Sequence, residues 1–204
     1  MKISRKNLSS YYTLGAAALL CVAVFCPFNI QDALAIVTAC VFGFQGAGAV
    51  GLFLVLGKAG LPVLPGRLCG TEAFTGMNGG FIWGMFFAAL LCGLLMGNTL
   101  KTKKPEGLLE KAEAAAKAKK TDWFYLVKII LILAAAYIVV QATGIFWYAN
   151  FVSKANLEAG KVGLSYAEAF AICTKPQLLF LIVKLALSFP LIVILRKLFE
   201  PKWS

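Results

Sequence analysis

The sequence predicts an all-α integral membrane protein of six transmembrane helices, with both ends on the cytoplasmic side. Three observations predict it. The 204-residue chain is 60% hydrophobic with a mean hydropathy of +0.82, and its apolar residues fall in long uncharged runs of the kind that crosses a bilayer. Its basic residues are clustered rather than spread. One apolar run is interrupted by a glycine-rich break.

The elements follow in order. Apolar runs lie at roughly 11–28, 33–57, 77–97, 123–149 and 176–199. Read one run per helix, they give five crossings, and the charges forbid five. Basic residues gather at the N-terminus (Lys2, Arg5, Lys6), in the seven lysines from Lys101 to Lys120, and at the C-terminus (Arg196, Lys197, Lys202). Basic loops resist translocation, so all three clusters belong on the cytoplasmic side. Four crossings must therefore precede Lys101. The run 33–57 becomes two short helices, 33–44 and 46–57, reversing at Gly43-Phe44-Gln45-Gly46-Ala47-Gly48, because glycine accepts the backbone of a reversal without steric cost. Backbone freed at such a break must be covered by protein or face a cavity. The whole chain, 1–204, is one membrane domain. The 101–122 linker is an Ala/Lys/Glu-rich cytoplasmic spacer that reads as a surface helix. Loops near 27–32, 58–76 and 150–175 face outward.

The net charge of +11 does not indicate nucleic acid, since it is explained by the cytoplasmic clusters. Attraction to anionic membrane lipid comes with them. The basic start and first apolar run resemble a signal peptide, but no small-residue cleavage site follows, and the run reads as a retained helix. The chain has no histidine, which excludes Ser-His-Asp and Cys-His catalysis and His-ligated metal. Gly51 to Lys58 mimics a phosphate loop one residue too long, with Ala59 where Ser or Thr is required. The sequence reads as no enzyme, with no metal and no cofactor. The six cysteines include no Cys-x-x-Cys. Cys69 and Cys173 fall in loops, where free thiols are expected and a disulfide is the alternative.

Polar residues inside apolar segments are few: Gln31 and Asp32 at a helix start, Gln45, Gln141, Asn150, Gln177 and Lys184. Lys184 lies about eight residues into the last run, between Leu178–Val183 and Leu185–Leu187. A charge there costs roughly 2.5–3.5 kcal/mol on insertion scales and needs a solvating partner, unless it snorkels to the interface. The Gly/Pro loop carrying Arg67, Glu72 and Asn78 reads as a lid or ligand-contacting wall. A tight connector is the plainer reading. Small residues at Ala89, Gly93 and Gly97, and at Ala17 and Cys21, mark close helix contacts.

Several of these residues together resemble the BioY family, the substrate-binding membrane subunits of energy-coupling factor biotin transporters. Pro27-Phe28 and then Phe28-Asn29-Ile30-Gln31 stand for its Pro-Phe and Val-Thr-Leu-Gln. Gly43 closes the helix twelve residues after the glutamine. Gly60-Leu61-Pro62-Val63-Leu64 stands for Gly-Leu-Pro-Val-Phe. Gly76-Met77-Asn78-Gly79-Gly80-Phe81, followed by Gly84, stands for Gly-Pro-Thr-Gly-Gly-Tyr. In the last helix Pro176 is followed by Lys184 at the family's lysine spacing, but Leu181 replaces its aspartate.

The resemblance implies a six-helix bundle in the bacterial cytoplasmic membrane that captures biotin from outside. It implies work with a transmembrane coupling subunit and two ATP-binding cassette ATPases. Biotin would be transported ligand rather than cofactor. Its contacts would come from Asn78, Gly79, Gly80, Lys184, Gln31 and Arg67. Asn78 and Gln31 would meet the ureido edge, and a Lys or Arg the carboxylate or the ureido oxygen. With no acidic residue in the last span, the Lys184 ammonium is expected to face the cavity unpaired until a ligand arrives. The small strip at Ala17 resembles the family's docking surface. Two alternatives use the same residues: the same fold with another small acid or vitamin, and a membrane scaffold without ligand.

Overall fold

The computed structural model describes residues 5–25, 30–97 and 123–199, with side chains in the first helix from residue 11 onward. The expected 101–122 linker helix and the Pro27-Phe28 motif lie outside the described residues. Among those described, eight α-helices follow one another. They are α1 (Arg5–Val22), α2 (Gln31–Phe42), α3 (Phe44–Lys58), α4 (Gly70–Thr75), α5 (Gly79–Met96), α6 (Trp123–Glu158), α7 (Tyr166–Thr174) and α8 (Leu178–Phe199). Gly79–Met96, Trp123–Glu158 and the run Tyr166–Phe199 are long and apolar enough to cross a membrane. Tyr11–Phe25, Gln31–Phe42 and Phe44–Lys58 are apolar but shorter.

The break between α2 and α3 is tighter than the sequence suggested. It falls on Gly43 alone, at φ 63° and ψ −139°, a backbone that only glycine adopts freely. Helix then restarts at Phe44. Two other glycines serve packing here. A Cβ on Gly46 would run into the Thr38 carbonyl of α2, and one on Gly93 of α5 would sit 2.8 Å from the Gly43 oxygen. The strip of Ala89 and Gly93 thus seats α5 against the reversal. Ala17 is 2% exposed, so the small residue expected to form a docking strip on α1 is instead buried packing. Gly15, where a Cβ would meet nothing within 4 Å, is on the open side.

Two of the segments expected to be outward loops hold more helix than expected. The segment 58–76 contains α4. The segment 150–175 is mostly helix, because α6 runs on to Glu158 before ending at Gly160, φ +71°. The hydropathy falls after Ala149, but Ala, Lys, Leu and Glu are good helix formers, so the helix outlasts its apolar stretch. Ser153 then ties the returning chain down, its hydroxyl meeting both the N–H and the carbonyl of Leu164 at 2.8 Å. A capping box of Ser165 and Glu168 starts α7. Cys173 lies on this helix, buried, and both it and exposed Cys69 are free thiols.

Helix α5 is the centre of the bundle and packs along α6. Helix α8 crosses beside α2. Near the C-terminal end of α8, Arg196 donates to the Cys40 carbonyl of α2 at 2.5 Å and to the Met96 carbonyl of α5 at 3.3 Å. Its guanidinium also lies 5.9 Å from the centre of the Tyr125 ring of α6. Carbonyls at helix ends lack intrahelical partners, and one side chain here serves two such ends.

Candidate functional site

The inward edge of α8 is a single stripe at four-residue spacing: Lys184, Ser188, Ile192 and Arg196. Ser188 and Ile192 are 2% and 0% exposed. A helix places such residues one above another on one face. Each polar member finds a partner on another helix. The Lys184 ammonium donates to both carboxylate oxygens of Asp32, at 2.8 and 2.9 Å. The Ser188 and Tyr137 hydroxyls lie 3.2 Å apart.

The pair with Asp32 corrects the expectation of an ammonium left open until ligand binds. The charge missing at Leu181 comes from the first turn of α2. An acidic residue there also suits the positive end of the helix dipole. One signal was available in the sequence: Asp32 and Lys184 both stand near the outer ends of their helices, so the proposed topology puts them at similar depth. Both side chains keep some exposure, 17% and 21%. An ammonium has three N–H donors, and Asp32 takes two.

The other expected site residues fall into two groups. Gln31 is buried, and its amide nitrogen donates to the Val63 carbonyl at 2.6 Å and the Leu20 carbonyl at 3.3 Å. That bond joins the two motifs that the sequence singled out separately, the Gln31 helix start and the Gly60-Leu61-Pro62-Val63 loop. Leu64 is fully buried beneath the loop, against Gly57. Arg67, at φ 61°, lies over the Phe25 ring at 5.8 Å. The loop is therefore pinned at its centre rather than free.

Asn78, Gly79 and Gly80 start α5. Asn78 is exposed and makes no side-chain cap bond. Gly79 and Gly80 are buried against Trp147 of α6, whose indole N–H donates to the Gly76 carbonyl at 2.9 Å.

On another face of α6 lies an open apolar cleft of about 690 Å³, flanked by α7 and by Leu181, Ile182 and Leu185 of α8. Its size is that of a small-molecule pocket. Its α8 wall includes Leu181 and Leu185, one turn before Lys184 and immediately after it. Tyr137, bonded to Ser188, also lines it. Among the expected residues none lines this cleft; Lys184 is the chain neighbour of Leu185, which does. Sequence reasoning singled out Gln141, which lines it, only as a buried polar residue, and passed over Thr174 and Tyr137. No periodic or compositional signal marks those two.

The family profile of BioY matches residues 9–201. The chain belongs to the BioY family. The crystal structure of the biotin S-component from an ECF-type ABC transporter is similar over 99% of this chain and 96% of that one, at a TM-score of 0.68 and 20% identity. At that identity the likeness is one of fold. None of the curated proteins compared with the chain matches it. For a BioY chain, the pairing of Asp32 with Lys184 places a carboxylate beside the last-helix lysine from α2 rather than from α8 itself.

Proposed function

We propose that this chain is the substrate-capturing subunit of an energy-coupling factor vitamin importer, and that it binds biotin from outside. It is a transport subunit rather than an enzyme. Helices α1, α2, α3, α5, α6 and α8 are its six membrane segments, in the bacterial cytoplasmic membrane, with both termini inside. A cysteine placed at position 110 should then resist labelling from outside, and external labelling would refute this topology. With no phosphate loop in its sequence, the chain takes energy from a transmembrane coupling subunit and two ATP-binding cassette ATPases.

The observation that carries the reading, beyond family membership, is the partly buried Lys184–Asp32 pair on the last helix and α2. It leaves one ammonium N–H for a ligand acceptor, and hydrogen bonds from charged donors are the stronger kind. Asn78, with its side chain unfastened, is the second contact. Gln31 and Arg67 hold the Gly/Pro loop, and Gly79 and Gly80 seat the start of α5 against Trp147.

Titration calorimetry of the purified protein with biotin tests this. The parent should bind, and Lys184→Ala should weaken binding by about 2 kcal/mol, the scale of a lost charged hydrogen bond. Parental affinity in a folded Lys184→Ala protein would remove Lys184 from the site. A parent that binds no biotin would remove the ligand.

A further inference from the structure

The turn that opens α5 is fixed by a residue of α6. The Gly76 carbonyl accepts from the Gly79 N–H at 3.0 Å, and Asn78 stands at φ −91° and ψ 0°. A first-to-fourth-residue bond with that backbone at the third residue is a type I β-turn. The same carbonyl accepts a second hydrogen bond, from the indole N–H of Trp147 at 2.9 Å, so both of its lone pairs are used. The Trp147 side chain also covers the start of α5. A Cβ on Gly80 would collide with it, and one on Gly79 would stand 3.3 Å from its ring.

This clamp acts on the backbone beside Asn78 and leaves its side chain alone. Asn78 is exposed and makes no side-chain cap bond, so the turn beneath it decides where its amide stands. We infer that Trp147 is a positioning residue for ligand binding, its indole N–H holding the Gly76–Gly79 turn in the form that presents the Asn78 amide. The inference rests on the biotin reading above, in which Asn78 is a contact. An indole suits the task. It has one donor and no acceptor, so it fastens a carbonyl and offers nothing to a ligand N–H. The turn also links the two side chains, and ligand held at Asn78 therefore changes the surroundings of the indole.

The test combines Trp147→Phe, which keeps an aromatic ring and removes the N–H, with Asn78→Ala in a double-mutant cycle. Biotin affinity and the melting temperature of the ligand-free protein are measured for the parent, both single variants and the double variant. Trp147→Phe should lose about fivefold in affinity, the scale of one net hydrogen bond. In the Asn78→Ala background the same change should lose nothing further, because the side chain it positions has gone. A role in packing alone would lower the melting temperature and leave the affinity losses additive.

A second measurement uses the chain with its Trp147 intact, and it decides the matter if Trp147→Phe does not fold. The Trp147 indole N–H resonance is assigned by replacing the other three tryptophans, Trp83, Trp123 and Trp203, each in turn with Phe. Biotin should shift that resonance. Parental affinity in a folded Trp147→Phe protein overturns the inference, as do additive losses in the cycle or an indole signal that saturating biotin does not move. Parental affinity in Asn78→Ala overturns it too, since no contact is left to position. A parent that binds no biotin overturns the functional reading and this inference with it.

Discussion

Helices α5 and α8 are both apolar, yet they are held in opposite ways. In the most apolar stretch of α5, 56% of the residues are buried inside the protein, against 11% in the stretch that contains α8. Against α6, α5 presents Gly80 and Gly84, where a Cβ would collide with Trp147 and Thr143. From the other side, Gly144 of α6 accepts the Phe81 ring. Lipid tails are as apolar as leucine, so burial alone does not draw helices together in a membrane, and close approach through small residues does. Helix α8 has no such seam. It is held at polar points, Lys184 to Asp32, Ser188 to Tyr137 and Arg196 to helix-end carbonyls. Between it and α6 lies the cleft. One side of α6 is a fitted joint and the other is a pinned wall with room behind it. Along part of their length α6 and α8 are therefore not fully packed against each other.

The contrast is broken most severely at the joint. Gly80→Leu places a branched side chain against Trp147 and the Thr143 carbonyl, 2.7 Å from where even a Cβ would stand. The expected loss is about 3 kcal/mol, the upper range for overpacking, with a collapse of the monodisperse peak in detergent chromatography. A variant that purifies and melts like the parent would show that α5 and α6 are not close-packed there.

The second effect is at the outer pin. Lys184→Met alone, or Asp32→Leu alone, strands a partly buried charge and should cost about 3 kcal/mol, the scale for breaking such a pair. The double variant removes both charges and should recover most of that. Melting temperatures of the four proteins form the cycle, and strictly additive losses would dissolve the pair. If the double variant folds, it should still bind biotin poorly, which separates the pin's structural role from its contact with ligand.

The smallest effect is at the middle pin. Tyr137→Phe removes the hydroxyl that meets Ser188. Hydrogen bonds between membrane helices average about 0.6 kcal/mol, so a shift of a degree or two in melting temperature is expected. A loss as large as that at Gly80 would make α8 a fitted helix after all.

Much of this architecture was legible in the chain. The apolar helices, the glycine reversal and the outer Gly/Pro loop all announce themselves locally, because each depends on residues close in sequence. The end of α6 was misjudged for the same reason. Hydropathy marks where lipid stops, whereas helix propensity and the Gly160 terminator mark where helix stops, and α6 runs on past Ala149 to Glu158. The site was less legible. Gln31 was singled out as a ligand contact, but its amide nitrogen is used in fastening the outer loop to α2 and α1. Leu181 was read as a lost charge, but the charge is present on another helix.

By itself, then, the sequence determined that this protein is helical and apolar enough for lipid, where one glycine breaks its helices and which family it resembles. Those properties follow from the cost of placing polar groups in hydrocarbon, which is felt residue by residue. Only the tertiary structure decided which groups answer one another. Lys184 and Asp32 stand 152 positions apart. Gln141 and Thr174 come to one cleft from separate elements. An ion pair or a cavity depends on distance between helices, and distance is set by how side chains of every neighbouring helix fill the space between them.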